Sequence, residues 1–181
     1  MRQNYKKTLA AMALGVSVLG LTACGSTATT ADEITYDQSY LQSVADFLVT
    51  NWDGMTDEQI DTYATMDAED AQDLLDGYSL PFTPEAFTTA FSGYEGNEEE
   101  LGAYVSTDGY EVSVDKDEIT LVTHLTYENR TADLSIVFNK KSVAQSVTVN
   151  PEYSLGEILA KAGMNTLLGM GTVFAVLILI S

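Results

Sequence analysis

The stretch that decides the fold is Ile119-Thr120-Leu121-Val122-Thr123-His124-Leu125-Thr126-Tyr127, in the second half of the chain. Its odd-numbered positions are mostly apolar and its even-numbered positions are mostly polar. Because successive side chains of a strand point to opposite faces, this alternation predicts a β-strand with one buried face and one face in solvent.

The same period of two continues on both sides of this strand. It recurs in the segments Tyr110–Val114, Leu134–Phe138 and Val143–Val149. The contrast is weaker in the last segment, where the predicted inward set is Val143, Gln145, Val147 and Val149. Polar breaks suited to hairpin turns separate the segments at Asp115–Glu118, Glu128–Ala132 and Asn139–Lys141. We therefore expect an antiparallel meander of about four strands.

Upstream of these strands the apolar period lengthens to three and four residues, which is typical of amphipathic helices. The first apolar face consists of Leu41, Val44, Ala45, Leu48 and Trp52. A second helix is predicted after Thr56-Asp57-Glu58-Gln59, because this tetrapeptide fits a capping box. Its inward residues are expected to be Ile60, Tyr63 and Ala64.

Two more helices are expected before the sheet. One crosses Glu69–Leu75 and ends at Gly77, since glycine favours helix C-termini. The other begins at Thr83-Pro84-Glu85 and buries Phe87, Ala90 and Phe91. Helices followed by an antiparallel sheet predict one α+β domain, over residues 36–153. This order of elements resembles cystatin-like or nuclear-transport-factor-like domains, in which helices pack on one face of a curved sheet.

The charge of the chain excludes some classes of partner. The 181 residues include 8 Lys and Arg against 27 Asp and Glu, and three of the basic residues precede residue 8. From Cys24 onward there are five basic and 27 acidic residues, a formal charge of −22. Such a charge disfavours nucleic acid and anionic lipid headgroups as partners, and it suits a domain held outside a cell.

The N-terminus predicts a lipoprotein signal peptide over residues 1–23. A basic start precedes an apolar core from Leu9 to Leu21, and Leu21-Thr22-Ala23-Cys24 resembles a bacterial lipobox. Cys24, the only cysteine, is then the lipid attachment site, and residues 24–35 form a flexible tether. An ordinary cleaved signal or an uncleaved anchor helix remain the alternatives.

The C-terminus predicts a single transmembrane helix over residues 154–181, capped by Ser154 and Glu157. The stretch Ala162–Ser181 has no charged residue, and at about 1.5 Å per residue it spans about 30 Å. The acidic domain upstream favours an extracytoplasmic N-terminal domain and a cytoplasmic C-terminus, in the cell membrane of a bacterium.

Small and polar residues of this helix predict contact with a partner helix. Asn165, Gly169 and Thr172 fall on one stripe, and Gly171 with Ala175 forms a small-xxx-small pair beside it. Small residues let two helices approach closely, and polar side chains in lipid need hydrogen-bonding neighbours. The alternative is a plain anchor with no partner.

The run Gly163-Met164-Asn165-Thr166-Leu167-Leu168-Gly169-Met170-Gly171-Thr172-Val173-Phe174-Ala175-Val176 resembles the membrane helix of the oxaloacetate decarboxylase gamma-subunit family. Members are small subunits of biotin-dependent, sodium-pumping decarboxylases. The resemblance implies a role in assembling the carboxyltransferase subunit with the sodium-translocating membrane subunit. It also implies that biotin is carried by a partner. The cytoplasmic tail of the family has no counterpart after Ser181, and the acidic domain exceeds the outer segment of the simplest members.

The sequence predicts no catalytic residue, no metal site and no cofactor in this chain. His124 is the only histidine, and neither Asp67–Asp76 nor Glu95–Glu100 has the spacing of a calcium loop. We therefore expect a non-catalytic subunit of the decarboxylase that supports sodium ion export. The alternative is an extracytoplasmic ligand- or peptide-binding lipoprotein with a plain anchor, and an extracytoplasmic hydrolase is a more distant third.

Overall fold

A computed structural model describes residues 27–29 and 35–180, without the side chains of residues 27–29 and of part of the last helix. The strands are β1 (Thr27–Thr29), β2 (Thr35–Asp37), β3 (Tyr104–Asp115), β4 (Glu118–Tyr127), β5 (Thr131–Asn139) and β6 (Ala144–Pro151). The helices are α1 (Gln38–Gly54), α2 (Asp57–Ala64), α3 (Ala68–Tyr78), α4 (Pro84–Leu101) and α5 (Leu155–Ile180). Helices followed by a four-stranded antiparallel sheet confirm the predicted α+β class.

The main sheet is the predicted meander, with strand order β3-β4-β5-β6 and antiparallel pairing throughout. In β4 the side chains alternate as expected: Ile119, Leu121, Thr123 and Leu125 are buried, and the even-numbered residues between them are partly exposed. β1 and β2 form a separate antiparallel pair, Thr27 opposite Asp37. Residues Thr27–Thr29 of the predicted tether thus form a strand.

The helices begin at residues whose side chains or backbone satisfy free N–H groups. The Asp37 carboxylate accepts hydrogen bonds from the backbone N–H groups of Ser39 and Tyr40, at 3.0 and 3.2 Å. The side chain of Gln59 accepts from the Thr56 N–H at 2.9 Å, as the predicted capping box requires. At α4 the Thr83 hydroxyl accepts from the N–H of Ala86. Such caps each stabilise a helix by about 1 kcal/mol.

The prediction that Gly77 ends the third helix is wrong. Gly77 lies within α3, and the residue in the left-handed conformation is Ser79, with φ of 54°. The Leu80 N–H then donates to the carbonyl of Leu75, and Leu80 is buried. Burying this leucine stabilises the end of the helix at Ser79, although a left-handed serine costs free energy that glycine would not.

The predicted inward set of β6 is also partly wrong. Val147 and Val149 are buried as expected, but Ala144 takes the inward position instead of Val143 or Gln145. An irregularity in the β5–β6 register between Val137 and Phe138 accounts for the change. A bulge adds one residue to a strand and so shifts the alternation of its side chains.

The core lies between the helices and one face of the sheet. Its aromatic centre joins α1, α2 and α4: Trp52 stacks on Tyr94 with ring centroids 4.9 Å apart, and Tyr63 packs against Phe87 and Phe91. Trp52 is 2% exposed and is the only tryptophan of the chain. Helix α4 packs on β6 and on α2, so the helical layer covers one face and leaves the other open.

The chain divides into two compact units, residues 1–151 and 152–181. The second contains α5, which confirms the helix predicted from the sequence near Leu155. No helix formed by the described residues is both long and apolar enough to cross a membrane, so the spanning role predicted for this helix is not confirmed.

Candidate functional site

Helix α5 begins with the predicted cap. The Glu157 carboxylate accepts hydrogen bonds from the backbone N–H and the hydroxyl of Ser154, both at 2.8 Å, and the Ser154 hydroxyl accepts from the Glu157 N–H at 3.3 Å. This reciprocal pair satisfies free groups at the helix start. It also fixes where the helix begins, at Leu155, with three residues between it and the end of β6 at Pro151.

Helix α5 carries most of the exposed apolar surface that the structure describes. Apart from Val105, the exposed large apolar side chains are Leu155, Ile158, Leu159, Met164, Met170, Val176, Leu177, Ile178 and Ile180. Their exposed fractions run from 49% at Ile158 to 79% at Leu155. At about 100° per residue, Met164, Met170 and Val176 lie about 120° apart around the helix and so point to three different sides. A helix that is apolar on all sides is normally surrounded by protein or by lipid.

The predicted partner-contact residues Asn165, Gly169, Gly171, Thr172 and Ala175 all lie within α5. Since the segment is helical, their spacings of three and four residues place them on adjoining stripes. Their side chains lie outside the described part of the structure, so contact with a partner stays a prediction. Cys24, the predicted lipid attachment site, also lies outside the described residues.

The outer face of the sheet carries a polar cluster that the sequence only partly indicated. His124 lies on this face, as predicted, and its side chain is 45% exposed. Its Nδ1 lies 2.5 Å from Oδ1 of Asp133, directly opposite on β5, and its Nε2 lies 4.0 Å from Glu111 on β3. No hairpin register was predicted from the sequence, so the His124–Asp133 pair was not foreseen; the alternation indicated only that His124 lies on the outer face.

Hydroxyl groups surround this cluster. On this face Ser135 lies opposite Thr148, and Thr120, four residues before His124 on β4, lies opposite Ser113. The Thr126 hydroxyl donates to the carboxylate of Asp108. This face therefore offers hydrogen-bond donors and acceptors to solvent, and none of the helices α1–α4 covers it.

Every charged side chain of helices α1–α4 is acidic, since no lysine, arginine or histidine occurs between Asp37 and Leu101. Burial, with a smaller contribution from Glu98, raises the pKa of Tyr94 to about 12. Burial and the nearby carboxylate of Asp57 raise the pKa of Glu98. Within the described residues no group of three or more His, Cys, Asp or Glu side chains is arranged to hold a metal ion.

No family model, curated protein or solved structure matches this chain.

Proposed function

We propose that this chain is a membrane-anchored, gamma-type accessory subunit of a biotin-dependent, sodium-translocating decarboxylase. In this role α5 joins the carboxyltransferase subunit to the sodium-translocating membrane subunit and so supports sodium ion export. The observation that carries the proposal is α5 itself. It presents apolar side chains on several sides and contains the Gly163–Val176 run that resembles the family.

The proposal places α5 in the lipid bilayer, with the C-terminus in the cytoplasm. The absence of charge over Ala162–Ser181 supports this placement, because each charged residue at the centre of a bilayer costs several kcal/mol. Asn165 and Thr172 are polar, and in lipid they need hydrogen-bonding partners. A transmembrane bundle of another subunit supplies such partners, and Gly169 and Gly171 let its helices approach closely.

The proposal places the acidic domain outside the cell, tethered by a lipid at Cys24. A domain that carries a large negative charge is repelled by anionic headgroups and remains in solvent. Its architecture of helices on one face of a meander fits small secreted domains of the cystatin-like or nuclear-transport-factor-like kind. Metabolic labelling with a radioactive fatty acid tests the tether: the parent chain takes up label, and Cys24→Ala does not.

In this proposal the decarboxylation and the biotin belong to partner chains. Helix α5 has no carboxylate between Ala162 and Ile180, so sodium transfer through the membrane falls mainly to the sodium-translocating subunit. This chain contributes assembly. Loss of α5 contacts should then abolish pumping while leaving the isolated partner enzymes chemically competent.

An avidin experiment tests the assignment. Membranes are solubilised in mild detergent and passed over avidin, which captures any biotinylated partner; we expect the chain to be retained. Gly169→Leu and Gly171→Leu should each abolish retention, because leucine blocks the close approach of a second helix. Gly163→Leu is the matched control, since it makes the same change at an exposed position that lies 120° or more around the helix from Asn165, Gly169 and Thr172. Absence of the parent chain from the avidin eluate contradicts the proposal.

The open sheet face favours one alternative function, an extracytoplasmic ligand- or peptide-binding lipoprotein in which α5 is only an anchor. His124, Asp133 and Glu111 form a polar centre that a ligand could contact on this face. Under this alternative, His124→Ala impairs ligand capture and the α5 glycine variants have no effect. The two sets of variants therefore distinguish the functions.

A further inference from the structure

The two edges of the main sheet differ in how well they are covered. At β6, Ala144 exchanges backbone hydrogen bonds with Pro81 and Thr83, and the inward residues Val147 and Val149 are only 2% and 6% exposed. At β3, the inward residues Tyr110, Val112 and Val114 are partly exposed. β4 is the one described strand that pairs with β3, so β3 forms the open edge of the described sheet.

The register shows which backbone groups of β3 point away from the sheet. The Tyr127 N–H donates to the carbonyl of Arg130, so Tyr127 directs its backbone groups toward β5. Backbone direction alternates along an antiparallel strand, so Leu121 and Ile119 also direct theirs toward β5. Val112 and Val114 lie opposite Leu121 and Ile119. In the β3–β4 pair they are non-hydrogen-bonded, and their N–H and C=O groups point outward.

Only one part of β3 is regular enough to take another strand. Register shifts interrupt the β3–β4 pairing before Ser106 and between Thr107 and Tyr110, whereas Tyr110 to Asp115 pair without interruption. In this regular run, Tyr110, Val112 and Val114 direct their backbone N–H and C=O groups away from β4, while their side chains pack on the core. An open strand edge of this kind is a template for another strand, and proteins usually block such edges with charge or bulges.

We propose that two copies of this chain associate through their β3 edges, antiparallel, with Val112 of one copy opposite Val112 of the other. Tyr110 of each copy then lies opposite Val114 of the second copy. These three pairs supply about six backbone hydrogen bonds across the dimer axis. They also join the two sheets into one, and a two-fold axis at Val112 makes the interface self-complementary.

Charge selects this register over its neighbours. A shift by one pairing step in one direction places Glu111 opposite Glu111 of the second copy, and a shift in the other direction places it opposite Asp115. Like charges directly opposite destabilise a strand pair. The proposed register instead places Glu111 opposite Ser113. It also brings the exposed Lys116, in the β3–β4 turn, alongside Asp108 of the second copy.

Cysteine cross-linking in native membranes tests both the dimer and its register. Glu111→Cys and Ser113→Cys are made in two differently tagged full-length chains and co-expressed before mild oxidation. Opposed residues of a non-hydrogen-bonded pair have Cα atoms about 4.5 Å apart, within the range of a disulfide. We expect a mixed disulfide dimer in high yield, and little dimer when either variant is expressed alone. Equal yields in all three cases overturn the register.

Two further variants separate a dimer from chance collision. Lys116→Glu replaces attraction to Asp108 with repulsion, and the cross-linked fraction should fall about three- to tenfold. Lys141→Glu, an identical charge change at an exposed turn away from β3, should leave it unchanged. Fluorescence of Trp52 checks that each variant is folded. Absence of the mixed dimer when Glu111→Cys and Ser113→Cys are co-expressed without a further change, or cross-linking of β3 to a different protein, overturns the proposal.

Discussion

Substitution of Gly102 by alanine is expected to destabilise the domain through two separable effects. Gly102 joins α4 to β3 with φ of 77° and ψ of −163°, a conformation that is essentially restricted to glycine. A Cβ atom there would lie 2.8 Å from Nδ2 of Asn129 and 3.3 Å from Cβ of Glu128. The backbone strain costs about 1–3 kcal/mol. Relief of the overlap requires the Asn129 side chain to move.

The junction at Gly102 cannot easily relax. The backbone N–H of Asn129 donates to the carbonyl of Leu101 at 2.9 Å, and the N–H of Glu128 donates to the carbonyl of Ala103 at 2.8 Å. Arg130, in the same turn, forms an ion pair with Glu100 at 2.9 Å. We therefore expect Gly102→Ala to lower the free energy of unfolding by about 2–4 kcal/mol.

Urea unfolding followed by Trp52 fluorescence measures this change, because Trp52 is the only tryptophan and is buried in the core. Three comparisons isolate the cause. Gly109 has a positive φ of 134°, and a Cβ atom added there would have no heavy atom within 4 Å, so Gly109→Ala measures the cost of backbone strain alone. Gly96→Ala, in the exposed interior of α4, should stabilise by about 0.5–1 kcal/mol. Gly102→Ala combined with Asn129→Ala should recover only the part due to overlap.

The reasoning is refuted if Gly102→Ala proves as stable as the parent chain. It also fails if the double variant regains full stability, since the strained backbone would then carry no cost. A loss equal to that of Gly109→Ala leaves strain as the sole cause and removes the predicted role of Asn129.

Three further predictions concern titration and packing. The pKa of Tyr94 is raised to about 12, so its contribution to stability should fall as pH rises from about 10 to 12, because the unfolded state ionises first. Tyr94→Phe should weaken the alkaline loss of stability without abolishing it, because burial also raises the pKa of Tyr63, Tyr110 and Tyr127; alkaline unfolding curves test this. The raised pKa of Glu98 means that its negative charge opposes folding at neutral pH. Glu98→Gln should therefore raise the urea midpoint at pH 7, and this gain should disappear in acid, where the carboxyl group of the parent chain is protonated. Glu99→Gln, at an exposed position, is the control. Thr123 has a buried hydroxyl with no hydrogen-bond partner among the described residues, so Thr123→Val should stabilise the domain by about 1 kcal/mol. Thr120→Val, on the open face, should not stabilise it. Equal changes in the thermal unfolding midpoint for the two variants would contradict this prediction.

The sheet was predictable because its alternation is strong and its turns are short. In β4 one period of two runs from Ile119 to Tyr127 without interruption, and the structure follows it residue by residue. The same pattern placed His124 on the open face. Where the contrast was weak, in Val143–Val149, a bulge changed the inward set in a way that alternation cannot reveal.

The helix boundaries depended on tertiary contacts in one place. Gly77 is the residue that local preference selects as a helix end, yet α3 continues to Tyr78 because Leu80 finds a buried position after a left-handed Ser79. Burial of one leucine outweighs the cost of that conformation at serine. The free energy gained by burying Leu80 depends on tertiary contacts, which helix-capping preferences alone do not reveal.

The candidate site could be predicted only in part. The start of α5 follows from Ser154 and Glu157, two residues whose pairing is local. The approach of Glu111 to His124 depends on the register of two hairpins and on a side-chain rotamer, neither of which composition reveals. Under the proposed function, the neighbours of α5 belong to other subunits, and no local pattern of this sequence identifies them.

The position of β1 limits how far the domain can lie from a lipid on Cys24, the attachment site proposed above. The strand begins at Thr27, three residues after Cys24, and pairs with β2 directly before α1. A segment of three residues reaches at most about 10 Å, which is close to one Debye length at physiological salt. An acyl chain on Cys24 would therefore keep the acidic domain inside the electrostatic field of the bilayer surface. Its orientation there would depend on the lipid charge and on the salt concentration.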